Sequence, residues 1–190
     1  MVKVVVVNGA PSVGKSLFER LCMEKCSYLF RVKPGFDSTK QLHVDIASTV
    51  DFVKEIAYNC GWDGTKTPEN RKFLSDLKAL LTKWNNVPYE IIKERVENLP
   101  KTYDWIMFVD CREPEEIQKL KDGMNATTLL IRREQAENAE TSNASDANVL
   151  DYNYDLTIWN NSDIINLEKQ AEHFIEYMKK EEVPHYVNVD

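Results

Sequence analysis

Residues 2–16, VKVVVVNGAPSVGKS, decide the fold. The β-branched run from Val2 to Val7 predicts a strand buried on both faces, as strands of parallel sheets are. Gly9 to Gly14 predicts a turn, and the apolar spacing from Lys15 to about Tyr28 predicts a helix. A buried strand, a glycine-rich turn and a helix thus follow one another at the start of the chain.

The turn matches the pattern G-x-x-x-x-G-K-[ST] of a phosphate-binding loop, or P-loop. Glycines let the backbone wrap a phosphate with its N–H groups inward, and the helix directs its positive end at the same anion. The lysine reaches the β- and γ-phosphates, and the serine hydroxyl joins the Mg²⁺ shell. We therefore expect a nucleoside triphosphate with Mg²⁺ to be bound by Gly9, Ala10, Pro11, Ser12, Val13, Gly14, Lys15, Ser16 and Leu17.

Further strands and helices alternate along the chain. We expect strands at Gln41–Ala47, Trp105–Val109, Thr127–Ile131 and Leu156–Trp159, with helices between and after them. One helix starts near Asp51 with a capping box, and another follows Thr67-Pro68. This alternation predicts an α/β class: a three-layer αβα P-loop NTPase fold with a parallel sheet.

The domain organisation follows from the same pattern. We expect a single domain over residues 1–190, with a helical acceptor-binding region at about 48–100 and a lid at about 132–150, where bulky apolar residues are scarce. Apolar residues of the helix after Pro68 are expected to point inward: Phe73, Leu74, Leu77, Leu80 and Leu81. The four tryptophans are expected in the core or at its rim: Trp62, Trp84, Trp105 and Trp159.

Several charged residues follow the carboxyl ends of the predicted strands, where ligands of parallel sheets bind. Asp110 ends an apolar strand as a Walker B acid does, and we expect it to hold Mg²⁺ together with Ser16. Arg112, Arg132 and Arg133 are candidates to stabilise a moving phosphoryl group. For each arginine the alternative is an ordinary surface ion pair.

Four blocks in order carry a resemblance to a family. They are the P-loop, Trp62–Lys66 with Arg71–Leu74, Phe108–Pro114, and Tyr154–Asn160. Together they resemble the P-loop deoxynucleoside monophosphate kinases of phage type, and more distantly the phosphomevalonate kinases. The resemblance implies a nucleoside-monophosphate-kinase-like fold, ATP and Mg²⁺ as cofactors, and an acceptor phosphate held by Arg71. It also implies that arginines near the lid stabilise the transferred phosphoryl group.

The predicted function is therefore an ATP-dependent kinase that phosphorylates a small molecule, with a (deoxy)nucleoside monophosphate as acceptor. Arg71, Asp63 and Lys54 are the candidate acceptor-binding residues. Two alternatives stay open: a P-loop kinase for another small phosphorylated acceptor, and a nucleotide-binding protein with little turnover. A GTPase is disfavoured, because residues 160–163 read NNSD and not the guanine-reading NKxD.

Composition and charge limit the classes of partner that we expect the chain to bind. The net charge of −7 makes the chain a poor binder of nucleic acid. There is no run of eighteen apolar residues for a membrane span and no signal-peptide pattern at the start. The four cysteines lack paired spacing and are expected as free thiols in the cytoplasm. The oligomeric state stays open, with a homodimer as one option.

Overall fold

The computed structural model describes residues 1–32, 42–137 and 148–180. The strands are β1 (Val2–Asn8), β2 (Leu42–Ser48), β3 (Asp104–Asp110), β4 (Thr127–Arg132) and β5 (Leu156–Trp159). The helices are α1 (Lys15–Val32), α2 (Asp51–Asn59), α3 (Pro68–Asn85), α4 (Val87–Glu97), α5 (Pro114–Met124), α6 (Glu134–Glu137) and α7 (Ile164–Lys179).

The five strands form one parallel sheet in the order β2-β3-β1-β4-β5. β1 is central: Val7 is paired with Asp110 of β3 on one side, and Asn8 with Leu130 of β4 on the other. The predicted α/β class with a parallel sheet is therefore confirmed. Because the strands run the same way, the ends of β1, β3, β4 and β5 meet at one edge of the sheet, called here the carboxyl edge.

The main core lies between one face of the sheet and the helices α1 and α7. Val5 and Val7 of β1 and Ile106 and Phe108 of β3 are buried on this face, since alternate residues of a strand share a face. Phe18 of α1 and Phe174 of α7 contact each other and the Phe108 ring of β3 in edge and stacked arrangements, with ring centroids 5.5–6.4 Å apart. The core thus holds α1 directly behind β1 and β3.

The chain forms two compact units. The first comprises Met1–Ile46 and Leu99–Asp190, and the second comprises Ala47–Asn98. In the second unit, α3 packs against α2 and α4. Its first turn is capped as predicted, because the Thr67 hydroxyl accepts from the Asn70 N–H at 3.2 Å and Pro68 follows at N1. This unit spans nearly the same residues as the predicted acceptor-binding region, whose role stays a prediction.

The prediction for the apolar residues of α3 is wrong in part. None of its residues is buried; Phe73 is 39%, Leu80 63% and Trp84 82% exposed. The reason is that α2 and α4 cover only the side of α3 that carries Leu74, Leu77 and Leu81, which are half-buried. The predicted apolar stripe was too wide for the packing that the helix has.

The predicted lid lies mostly outside the described residues, at 138–147. Its described start is α6, and its described end includes Val149, which is buried. All four cysteines are free thiols; Cys22, Cys26 and Cys111 are buried, and Cys60 is exposed. In the described part of the chain, no helix has the length and apolarity needed to cross a membrane.

The carboxylate of Asp155, directly before β5, is hydrogen-bonded to β4. Asp155 accepts from the backbone N–H and the hydroxyl of Thr128, both at 2.9 Å, and it pairs with the Lys121 ammonium. Burial raises the pKa of Asp155, but the hydrogen bonds from Lys121 and Thr128 outweigh it and hold the pKa below its usual value. The ionised carboxylate is therefore the form that stabilises this pairing.

We expect Asp155→Ala to lower the free energy of unfolding by about 2 kcal/mol at pH 7, because the buried Thr128 N–H loses its partner. A depressed pKa contributes stability above the unfolded pKa and loses it as pH falls through the folded value. The difference in free energy of unfolding between the native protein and the variant should thus shrink below about pH 4. Urea unfolding at several pH values measures it, with the exposed Asp151→Ala as control; a deficit equal at all pH values would contradict the account.

Candidate functional site

The loop between β1 and α1 has a backbone that side chains would disrupt. A Cβ at Gly9 would lie 2.4 Å from the Ile131 carbonyl oxygen, and one at Gly14 would lie 2.5 Å from Asn160 Nδ2. Gly14 has φ +101°, and Ser12, a non-glycine residue, has φ +66°. These left-handed conformations turn the chain sharply from strand to helix, as a phosphate-binding loop requires.

The first turn of α1 presents the positive end of the helix at this loop. α1 begins at Lys15, and its first turn contains no acidic residue that would neutralise the unpaired N–H groups. Lys15 is half-buried, and its ammonium donates to the Gly9 carbonyl oxygen at 3.1 Å. Ser16 is exposed at the start of the helix. The arrangement suits an anion that the backbone N–H groups and Lys15 bind together.

Two asparagines that the sequence did not single out hold the loop in place. Asn160, at the end of β5, donates from Nδ2 to the Val13 carbonyl oxygen at 2.9 Å. Asn8 is fully buried at the end of β1; its Oδ1 accepts from the Gly9 N–H at 2.8 Å. The signal in the sequence was a polar residue directly after each apolar strand.

Asn8 also links the loop to the chain before β5. Its Nδ2 donates to the Tyr154 hydroxyl at 2.7 Å and to the Arg112 carbonyl oxygen at 3.2 Å. Burial raises the pKa of Tyr154 to about 12, so its hydroxyl stays neutral and donates to the Val149 carbonyl oxygen at 2.9 Å. One side chain thereby fixes the ends of β1 and β3 and the segment that follows the predicted lid.

The predicted rim residues lie at the carboxyl edge of the sheet. Asp110 ends β3 beside Val7, and Arg112 follows it; both are half-buried. Arg132 ends β4, and its guanidinium lies 4.2 Å from the ring centroid of Trp159 in a cation–π contact. Arg133 comes next, with its Nη2 3.4 Å from Gln135 Oε1. The fold thus brings Asp110 and these three arginines to the edge that carries the loop.

The three candidate acceptor-binding residues lie in the second unit. Lys54, on α2, is 3.4 Å from the Asp51 carboxylate. Asp63 lies in the loop before α3, and its Oδ1 accepts from the backbone and hydroxyl of Thr65 and from Asn70 Nδ2 at 2.7–3.0 Å. The Thr65 hydrogen bonds lower the pKa of Asp63. Arg71 is exposed on the first turns of α3. The sequence did not indicate that the Asp63 carboxylate shapes its own loop.

Glu19 is a further residue that sequence reasoning missed. It lies on α1, one turn after Lys15, and is only 1% exposed. Burial, with the negative charge of Asp110, raises the pKa of Glu19 to about 7, and the charge of Lys15 opposes this. Its position on the buried face of α1, shared with Phe18 and Cys22, was visible in the sequence as an acid in an apolar stripe.

The residues present fit Mg²⁺. This ion takes oxygen ligands and needs few from the protein, because it keeps several waters. Ser16 supplies a hydroxyl at the start of α1 and Asp110 a carboxylate at the end of β3, and the buried Glu19 Oε1 has no hydrogen-bond partner among residues 1–32, 42–137 and 148–180. Among the described residues, no cluster of three or more histidines, cysteines and acids could hold a metal ion. The oxygens of Ser16, Asp110 and Glu19 therefore suit a phosphate-bound Mg²⁺ better than a metal held by protein ligands alone.

The parallel sheet and the loop after its central strand together define a P-loop NTPase fold. No protein-family model and no curated protein matches the chain. Among solved structures, the chain is similar to the crystal structure of thymidylate kinase from Ehrlichia chaffeensis. The identity is 13%, the TM-score is 0.44, and 93% of this chain and 98% of that chain are covered. The resemblance to phage-type enzymes and phosphomevalonate kinases finds no support in these comparisons and stays a prediction.

We expect Gly14→Ala to destabilise the protein more than Gly61→Ala. Both positions have a positive φ, +101° and +93°, so both variants incur the backbone cost of about 1–2 kcal/mol. A Cβ at Gly14 would also meet Asn160 Nδ2 at 2.5 Å, whereas a Cβ at Gly61 would meet no atom of the described part of the chain within 4 Å. Urea unfolding of the two variants measures the difference. Equal losses of stability would contradict the packing of Asn160 against the loop.

Proposed function

We propose that the protein is an ATP-dependent small-molecule kinase that transfers the γ-phosphoryl group of ATP to a (deoxy)nucleoside monophosphate. The observation that carries this proposal is the loop Gly9–Ser16 at the end of the central strand, with the unneutralised start of α1 and Lys15 beside it. These features bind a polyphosphate through backbone N–H groups and one lysine. The reaction is inferred from the charged residues around the loop.

The nucleotide part of the proposal uses residues at the carboxyl edge of the sheet. The Lys15 ammonium would exchange the Gly9 carbonyl oxygen for the β- and γ-phosphates of ATP, and Ser16 and Asp110 would hold Mg²⁺ directly or through water. Arg112, Arg132 and Arg133 would stabilise the charge of the moving phosphoryl group. Because phosphoryl transfer depends mainly on positioning and charge, three arginines at the edge that carries the loop favour a kinase over a binding protein.

The acceptor part of the proposal keeps the residues that the sequence predicts for it. Arg71 is our candidate for the acceptor phosphate, since a guanidinium can hold a phosphate with two parallel hydrogen bonds. Asp63 supports that role by ordering the loop that leads into α3, and Lys54 is a weaker candidate because it is near Asp51. A cytoplasmic location and a homodimer also stay predictions from the sequence.

An ADP-release assay tests the proposal. Mg·ATP is presented with each ribo- and deoxyribonucleoside monophosphate and with phosphomevalonate. We expect stimulation by a nucleoside monophosphate and a loss of about 100-fold or more in Lys15→Ala, because a cation at the transferring phosphates is removed. Lys25→Ala is the matched control, since that lysine is on the same helix but pairs with Glu168 and Glu172.

The other outcomes separate the alternatives. Stimulation by phosphomevalonate alone would assign a different phosphorylated acceptor to the same fold. ATP binding without stimulation by any acceptor in the panel would contradict the proposed kinase activity and favour a nucleotide-binding protein. Activity equal in Lys15→Ala and the native protein would contradict the assignment of the loop.

Arg71→Ala tests the acceptor end by itself. We expect the KM for the acceptor to rise about tenfold or more, since a charged hydrogen bond to phosphate contributes about 1.5–3 kcal/mol, while the KM for ATP stays the same. Lys72→Ala is the control on the next residue, whose ammonium pairs with Asp76. An unchanged acceptor KM in Arg71→Ala would show that this arginine does not bind the acceptor.

A further inference from the structure

Glu19 is an acid placed among core residues. It follows Lys15 by one helical turn and shares the inner face of α1 with Phe18 and Cys22, both fully buried. Glu19 itself is 1% exposed, and its Oε1 has no hydrogen-bond partner in the described part of the chain. The P-loop motif ends at Ser16 and does not require a carboxyl group at position 19.

Stability does not explain the residue. A buried carboxyl oxygen without a hydrogen bond loses its hydration, and the charge of Lys15 compensates for this only in part, so a leucine or methionine would suit the core better. Groups kept at such a cost cluster at functional sites. The surroundings of the carboxyl group therefore indicate its role.

Strand alternation places Asp110 on the same side of the sheet. Ile106 and Phe108 of β3 are in the core that α1 covers, and Asp110 is the next residue of that alternation. The negative charge of Asp110 also raises the pKa of Glu19, which agrees with this placement. The two carboxyl groups thus lie on the same face of the sheet, on the side that α1 covers.

We propose that Glu19 is a positioning residue of the Mg²⁺ site, forming with Asp110 a carboxylate pair that draws the cation to the loop and orders its water ligands. Two neighbouring carboxylates repel each other in a buried place unless a cation lies close to both. Residues behind the direct ligands of a metal tune its affinity, commonly by 10–100-fold. The inference rests on the proposed binding of Mg·ATP and adds a residue outside the P-loop motif to it.

Calorimetry of a non-hydrolysable ATP analogue tests the inference. The analogue is titrated in excess Mg²⁺ and in EDTA, and the ratio of the two affinities measures how strongly metal and nucleotide favour each other's binding. We expect Glu19→Gln, which keeps the shape and removes the charge, to reduce this ratio about tenfold while the affinity in EDTA changes less than twofold. Glu24→Gln, an exposed acid of the same helix near Arg20, should leave the ratio unchanged.

Urea unfolding in EDTA provides the second readout. If Glu19 is kept for the cation, Glu19→Gln and Glu19→Met should be at least as stable as the native protein without metal. An unchanged affinity ratio in Glu19→Gln, or a loss of stability in both variants with the ratio intact, would overturn the inference and leave Glu19 a structural residue.

The failure of the inference is distinguishable from that of the proposed function. If the native protein binds the analogue and Mg²⁺ tightens that binding, an unaltered ratio in the variant refutes only the role of Glu19. If the native protein binds no analogue in either buffer, the proposed function fails, and the inference about Glu19 fails with it.

Discussion

The turn from β1 to α1 has no room for a side chain at either of its two glycines, and much of the first unit depends on that. A Cβ at Gly9 would collide with the backbone of β4, and one at Gly14 with Asn160. Because the backbone can come this close, α1 starts directly after the loop that follows the central strand, and its unpaired N–H groups lie at that loop. The positions of Lys15, Ser16 and Glu19 all follow from where that helix starts.

Such a loop is unfavourable by itself, and the surrounding fold stabilises it. Ser12 keeps a left-handed backbone conformation that costs a non-glycine residue about 1–2 kcal/mol. Asn8 at the end of β1 and Asn160 at the end of β5 offset this by their hydrogen bonds to the loop. Rigid strands thus determine the shape of a turn that could not maintain it alone.

The elements were predictable where the sequence pattern is local. The structure confirms β1 at the valine run and α1 directly after the glycine turn. It also confirms α3 after the Thr67-Pro68 cap. Prediction failed for Leu80 and Trp84, because the exposed side of α3 is decided by which helices cover it. The same holds for the candidate site. The P-loop motif is local and predictable from the sequence, whereas the contact of Asn160 with the loop depends on the pairing of β5 with β4.

Binding of a polyphosphate by the backbone of residues 9–16 is the central proposal, and calorimetric titration of Mg·ATP into the native protein tests it most directly. We predict saturable binding of one ATP per chain that inorganic tripolyphosphate displaces, since the loop recognises phosphate oxygens and the base adds only selectivity. Absence of binding, or binding that tripolyphosphate does not displace, would contradict the account.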